Sequence, residues 1–432
     1  MRMKFHLISL GCSKNTADSE KIANRFVAAG WQWVSAPASA NLLLINTCGF
    51  INDAKEESLR TIMDAIALKN TANAMKTAVF GCLVKRYHAE IVQQIPEIDY
   101  LYEFLTDSEL DFLIGSGNTA TATPDYSQSW RFFTPPHTGI LKIAEGCSNR
   151  CSYCAIPGIR GAFYSFPESE ILDEARRLAA SGAREISVVA QDITRYGTDN
   201  GGACTLPGLV ARLAEIDGID WIRLHYMHPR GLTTALLDNL YSIKKVLPYF
   251  DIPFQHISDR ILGAMNRHTS PDHIKKLITH IRSTYPEAAI RTTFIVGFPG
   301  EKKKDFDDLV GFIEEYPLDR VGAFMYSPEE DTEASLMRPQ VSKATKQARL
   351  DQLMTLQQLI LEERNLRLVG QTQQIIVDEI IEGKARGRTQ ADAYEVDNTT
   401  TIDNPGKIRP GDIVKVKITA ADAYDFKAEL IK

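Results

Sequence analysis

Short apolar runs alternate with stretches of helical period along the first quarter of the chain. The runs at 5–10, 42–46 and 77–80 have strand length, and the stretches at 17–29, 52–68 and 84–95 repeat apolar residues at helical spacing. This rhythm predicts an open parallel sheet with helices on its faces. A run at 115–129, rich in Gly, Ser, Thr and Pro and free of Lys and Arg, reads as a linker. Further strands are expected at 140–144, 185–190, 221–225, 249–253, 290–296 and 320–326, with helices between them, among them 168–180 and 271–284. That pattern predicts a full or partial (β/α) barrel, with a doubly wound sheet as the alternative. A long helix over 342–369 closes the block, and Gly370 stands where a helix ends. The period then changes to short alternating strands at 374–378, 394–396, 413–420 and 425–431. With turn signals at Asn404-Pro405-Gly406 and Pro410-Gly411, they predict a small five-stranded β-barrel. The expected divisions are 1–115, a linker over 116–130, 131–369 and 370–432.

Hydrophobic residues make up 44% of the chain and charged residues 24%, a balance that excludes a disordered protein. No apolar run approaches the roughly 18 residues of a membrane span, and the first ten residues carry no cleavage signature. A cytoplasmic protein with no membrane partner is therefore expected. The net charge of −6 excludes a blanket polycation that coats nucleic acid. Seven cysteines are too few for a disulfide scaffold in a chain of 432 residues.

Three of the seven are grouped. Glu145-Gly-Cys147-Ser-Asn-Arg-Cys151-Ser-Tyr-Cys154 is a CxxxCxxC motif directly after the first strand of the second block, at the end of a (β/α) barrel where active sites are built. Three thiolates can hold three irons of a [4Fe–4S] cluster and leave the fourth open to a small molecule. Zinc is the alternative, but no second CxxC and no nearby HxxxH completes a structural zinc set. The other strand ends carry polar or glycine-rich tips: Gln191 and Asp192, His225 and His228, Gln255 and His256, and Gly297-Phe-Pro-Gly300-Glu301. Singly these are weak signals; on successive strands they suggest a ligand-filled mouth.

In this position the CxxxCxxC motif resembles the radical S-adenosylmethionine enzymes. That resemblance implies that S-adenosylmethionine binds the open iron and is cleaved by one electron to give a 5′-deoxyadenosyl radical. It also places Tyr153 beside the adenine, and Gln191 and Gln255, at strand ends that suit the same ligand, are candidate cofactor contacts.

Cys12, Cys48 and Cys82 are far apart in sequence, yet each lies just past a predicted strand of the first block, beside Gly11, Gly49 and Gly81. The carboxyl ends of parallel strands share one edge, so the three can meet there, and the glycines let backbone approach a bulky group. Free cysteine is also a common buried hydrophobe. Cys204 fits neither group.

With these three, the whole chain resembles the radical S-adenosylmethionine methylthiotransferases. The family has an N-terminal cluster domain, a radical barrel and a terminal β-barrel of the TRAM type. The resemblance implies two [4Fe–4S] clusters, one on Cys12, Cys48 and Cys82 and one on Cys147, Cys151 and Cys154. It also implies two molecules of S-adenosylmethionine, one as methyl donor and one as radical source. Four stretches look like the branch that modifies the β-carbon of an aspartate in small-subunit ribosomal protein 12. They are Ser9-Leu-Gly-Cys-Ser-Lys-Asn15 with Asp18-Ser-Glu20, Cys154-Ala-Ile-Pro-Gly-Ile-Arg160-Gly161, Asp251-Ile-Pro-Phe-Gln-His-Ile-Ser-Asp259 and Tyr326-Ser-Pro-Glu-Glu330. Asp331 departs from the glycine usual there. The alternative branch modifies a tRNA adenosine. Charge speaks against it: residues 371–432 hold nine Lys and Arg against eleven Asp and Glu, a net of −2, a poor clamp for a phosphate backbone. Lys384, Arg386 and Arg388 remain a candidate contact to ribosomal RNA. The terminal segment has no Cys or His and is expected to recognise the protein substrate, and a chain ending near Gly370 to keep both clusters. The electron donor and sulfur donor stay unidentified.

Overall fold

Three adjacent parallel strands, Lys4–Ser9, Leu42–Thr47 and Lys76–Gly81, form the centre of the first sheet. The structure, a computed structural model, describes residues 2–71, 75–115, 131–202, 204–394 and 396–431. Leu42–Thr47 is buried at every position because both sheet faces are covered. Its side chains alternate between two cores. Leu42 and Leu44 join Ile22 and Phe26 of the helix Ser13–Ala28, while Leu43 and Ile45 join Ile62 and Ile66 of the helix Asn52–Thr71. Two-residue edge strands, Gln32–Trp33 and Tyr100–Leu101, flank the three; they are too short to leave a period in the sequence. The linker expected at 116–130 lies outside the described residues.

The next six strands are Thr138–Lys142, Glu185–Val189, Trp221–Leu224, Tyr249–Asp251, Ala289–Val296 and Arg320–Met325. They are laid side by side in chain order, as two three-stranded parallel sheets joined by a bridge between Ile222 and Val246. A doubly wound sheet would reverse direction partway; this one does not, and it is a partial barrel. Ile186, Val188, Ile222, Leu224, Phe250, Ile290 and Phe294 pack into the core under the surrounding helices. Strand alternation therefore puts Ser187, Arg223, Tyr249, Asp251, Arg291 and Thr293 on the inner face. The helix Lys343–Leu366, capped by the Ser342 hydroxyl, follows the last strand. No helix among the described residues is long and apolar enough to cross a membrane.

The terminal segment closes into a five-stranded barrel in the order Thr372–Ile381, Lys384–Thr389, Thr400–Ile402, Phe426–Leu430, Ile413–Ala421. The strand expected at 394–396 is not there; Tyr394 and Val396 lie in turns. Lys384–Thr389 was hidden because Lys-Ala-Arg-Gly-Arg-Thr shows no apolar alternation. Its Arg388 is nonetheless 2% exposed, ion-paired to Glu185 at 2.7 Å and Asp378 at 2.8 Å. This corrects the RNA-contact expectation for Arg388, which is sealed between two domains. Lys384 and Arg386 are exposed but paired with Asp403 and Glu379. Arg320 with Asp392, Tyr249 with Asp397 and His137 with Asp378 add to the seam. Glu185, Tyr249 and Arg320 each begin their strand, so the terminal barrel docks on the amino-terminal ends of the central strands, opposite the Cys147 loop.

Candidate functional site

Cys12 is the N-cap of the helix Ser13–Ala28, Cys48 follows Leu42–Thr47, and Cys82 opens the helix Cys82–Gln94. Adjacent parallel strands thus deliver three thiols to one sheet edge. Gly11, at φ +92°, sits so close that a Cβ there would lie 2.8 Å from Cys48 Sγ. Burial pushes the Cys48 thiol up to about 11, with the neighbouring Cys12 and Cys82 adding to it. Burial also raises Cys82, against the pull of Arg160. Cys12 keeps solvent access at the helix N-terminus. Burial works upward on its thiol, but Lys14, the backbone N–H groups of Asn15 and Lys14, and Arg160 outweigh it and bring it below its usual value.

The second group lies on the loop after Ala144–Glu145. Gly146, at φ +73°, allows the tight entry; a Cβ there would meet the Ala162 carbonyl oxygen at 2.2 Å. The loop is pinned by Cys147 N–H to the Gly161 carbonyl at 3.1 Å and Ser152 N–H to the Met265 carbonyl at 3.0 Å. The buried Arg267 donates to Cys151 Sγ at 3.4 Å. Burial, then Cys151 and Cys147, raise the Cys154 thiol to about 12. Among the described residues no three Cys, His, Asp or Glu gather round a single metal ion. We expect Gly146→Ala to displace Cys147 and Gly11→Ala to displace Cys48. Each should lower bound iron after anaerobic reconstitution, by about half if each thiol group holds one cluster. Iron and sulfide assay checks this, and full iron in either variant would refute the close-approach argument.

Tyr153 packs among Ile261, Met265, Phe298 and Tyr326. Gln191 donates to Glu145 at 2.7 Å, and its Oε1 is buried without a hydrogen-bond partner. Gln255 adopts φ +74°, and its backbone is tied to Thr293 and Ile295. Asp192 is fully used, by Asn149 at 2.7 Å and by Thr194. His225 bonds Asp251 at 3.1 Å. His228 Nδ1 accepts from Arg230 N–H, which leaves the proton on a buried Nε2 that finds no partner; burial and the surrounding arginines lower this imidazole to about 2. His256 is likewise neutral, lowered to about 3 chiefly by burial. Cys204 packs against the outer core of the barrel. Asp331 takes φ +62°, the region that favours glycine.

A polar network at the junction of the first two domains links the surroundings of the two thiol groups. Arg160 donates to Asn15 at 2.6 Å, Asp18 at 3.1 Å and Glu145 at 3.0 Å. It also acts on the Cys82 thiol, and Glu145 is two residues from Cys147. Lys142 pairs with both Asp18 and Glu145. On the other side Lys55 and Arg86 share Glu329, at 3.0 and 2.8 Å, and Tyr87 reaches Glu330 at 2.6 Å. Ser13 Oγ lies 3.2 Å from the Tyr226 hydroxyl. Sequence reasoning gave no role to Lys14, Lys142, Arg160, Tyr226 or Arg267. Lys14 and Arg160 stood inside recognised motifs, and the others carried no sequence signal.

A CxxxCxxC loop at the mouth of a partial (β/α) barrel, linked to a second cysteine triad and backed by a TRAM-like barrel, defines a radical S-adenosylmethionine methylthiotransferase. Family models agree: residues 4–103 match the uncharacterized protein family UPF0004, 141–313 the radical SAM superfamily and 369–431 the TRAM domain. The chain is 40% identical over 444 residues to the ribosomal protein uS12 methylthiotransferase RimO of Geobacter sulfurreducens, covering 99% of this chain and 98% of that one. It is 40% identical over 439 residues to RimO of Clostridioides difficile, covering 99% of each. The chain belongs to the RimO family. The radical S-adenosylmethionine methyltransferase TsrM of Kitasatospora setae shares the fold at a TM-score of 0.56 and 13% identity, over 78% of this chain and 77% of that one.

Proposed function

We propose that this enzyme replaces a hydrogen on the β-carbon of an aspartate in ribosomal protein uS12 by a methylthio group. In this reading Cys147, Cys151 and Cys154 hold a [4Fe–4S] cluster that takes S-adenosylmethionine at its open iron. Cys12, Cys48 and Cys82 hold a second cluster, whose open iron offers sulfur. The observation that carries the reading is a pair of three-thiol groups, one per domain, whose surroundings are tied together through Arg160 at the domain junction. Each triad leaves one iron of a cubane without a protein ligand. When bound, the barrel's cluster and S-adenosylmethionine supply a carbon radical strong enough to take a hydrogen that no side-chain base can remove.

The chain's own residues bind, orient and shield. Arg267 stabilises the Cys151 thiolate through a charge-assisted hydrogen bond. Gln191 Oε1 and His228 Nε2, buried without protein partners, give S-adenosylmethionine one acceptor and one donor, and Tyr153 gives it an apolar wall. Gln255 borders the same mouth. The Arg160–Asp18–Glu145–Lys142 hub fixes the two triads relative to one another. The functional units are 1–115, 131–369 and 370–432. The terminal unit meets parts of the substrate remote from the reacting aspartate, because it sits at the opposite end of the barrel strands from the Cys147 loop.

A tRNA substrate is not favoured: the relatives are named for uS12, and Arg388, one of the terminal segment's nine Lys and Arg, is sealed inward. In a strain lacking this gene, mass analysis should show uS12 without its methylthio group while tRNA nucleosides keep theirs. Loss of a methylthioadenosine with uS12 unchanged would reverse the assignment.

A further inference from the structure

Cations crowd the junction between the cysteine triads, and nearly all have an acid. Lys142 and Arg160 share Asp18 and Glu145, Lys55 and Arg86 share Glu329, and Arg291 has Asp251. Arg267, which donates to Cys151 Sγ and the Pro253 carbonyl, has none, and neither does Lys14. No carboxylate pairs with Lys14 among the described residues; its Nζ lies 3.5 Å above the Tyr226 ring. Asp251, the acid close enough to act on Lys14, is already used. One of its oxygens accepts from His225 at 3.1 Å and from Tyr226 N–H at 3.2 Å, and the other meets Arg291 at 3.3 Å. A half-buried ammonium over an aromatic ring, acted on by the Cys12 sulfur and the already engaged Asp251 but with no carboxylate of its own, is less well compensated than one paired with a carboxylate.

Tyr226 is itself unusual. It follows the strand Trp221–Leu224 with φ +61°, a left-handed conformation that costs a bulky residue free energy and persists only where surrounding contacts impose it. The Asp251 carboxylate and the Ile193 N–H, which donates to the Tyr226 carbonyl at 3.3 Å, impose it. The result is an aromatic platform at the barrel mouth. It holds Lys14 two residues from Cys12, at the boundary between the two thiol groups.

We propose that Lys14 binds the side-chain carboxylate of the reacting aspartate and is the residue by which the enzyme selects aspartate. This rests on the reading of the substrate given above. The chemistry favours this handle because the carboxylate carbon is bonded directly to the β-carbon. Holding the carboxylate at Lys14 places the reacting C–H one bond away, between Cys12 and the barrel mouth. The substrate thereby supplies the carboxylate partner that Lys14 lacks. An interdomain clamp, with Lys14 serving only Tyr226, is the structural alternative, and the two differ in what they predict for substrate charge.

The experiment compares reconstituted wild type, Lys14→Met and Lys14→Arg. It measures affinity for uS12 and for uS12 whose target aspartate is replaced by asparagine, with iron content and product mass recorded alongside. Wild type should bind the aspartate form about 10- to 100-fold better than the asparagine form, the range of a charge-assisted hydrogen bond. Lys14→Met should lose that discrimination by weakening only the aspartate complex, and Lys14→Arg should retain it. Equal weakening of both complexes by Lys14→Met would assign Lys14 a structural role and overturn the proposal; so would unchanged discrimination. Failure of the wild type to add a methylthio group to uS12 would instead sink the functional reading itself.

Discussion

A chain in which Cys12, Cys48 and Cys82 are all alanine should hold about half the iron of the wild type. It should still cleave S-adenosylmethionine to 5′-deoxyadenosine and transfer no methylthio group to uS12. The complementary variant, with Cys147, Cys151 and Cys154 replaced, should also hold about half the iron, but should cleave nothing. The asymmetry follows from where the triads lie. The Cys147 loop is pinned by hydrogen bonds to Gly161 and Met265 of the barrel itself, so it does not depend on the sheet edge that carries the other three. The coupling runs through Arg160, which touches Asn15, Asp18 and Glu145 and pairs with carboxylates whether or not Cys82 is a thiolate. Iron and sulfide assay, product chromatography and mass analysis of uS12 read the three quantities separately. Full iron in the first variant would mean that no cluster stands on Cys12, Cys48 and Cys82, and the source of sulfur would have to be sought elsewhere.

The Cys147 group was legible as one contiguous motif, and the gathering of Cys12, Cys48 and Cys82 was legible because parallel topology turns a one-dimensional regularity into a shared edge. A cysteine just past each strand of Lys4–Ser9, Leu42–Thr47 and Lys76–Gly81 needs no further information to be placed with the others. The six strands of the central barrel were visible for the same reason, since apolar residues at alternate positions must face the helices. What stayed hidden was carried by polar residues in long-range pairs. Arg388 lies in a strand whose sequence looks like a solvated loop, and it is buried only because Glu185, more than 200 residues earlier, waits for it. Tyr226 has an ordinary identity and an unusual φ, which no residue pattern encodes. Lys14 and Arg160 stood inside motifs that marked the family without saying what each side chain meets.

Replacing Arg388 by methionine should destabilise the enzyme by about 3–5 kcal/mol, the cost of leaving a buried carboxylate without its cation. Glu185 is fully buried and keeps Arg223 at 2.8 Å, but Asp378 is left facing it across the seam. Adding Asp378→Asn should recover part of the loss, because the Glu185–Arg223 pair then stands alone and neutral. Burial opposes ionisation of Glu185, but Arg388 and Arg223 hold its carboxyl down to about 2. A depressed carboxyl stabilises the fold fully above its unfolded value of roughly 4.3 and loses that contribution as pH falls toward the folded value. At neutral pH the ion cluster is therefore intact, and the effect of Arg388→Met is at its largest. The same reasoning revises what truncation does. A chain ending at Gly370 loses Asp378, Arg388, Asp392 and Asp397 at once, and it strips the partners from Arg320, Tyr249 and His137 at the foot of the central strands. Such a chain should unfold well below the full protein and release iron from the barrel site, instead of keeping both clusters as the lack of Cys and His in the terminal segment alone predicts. Thermal unfolding of the reconstituted proteins at one scan rate, under anaerobic conditions, measures the difference. A truncated chain that melts with the full-length enzyme would show that the seam binds two domains that are each stable alone.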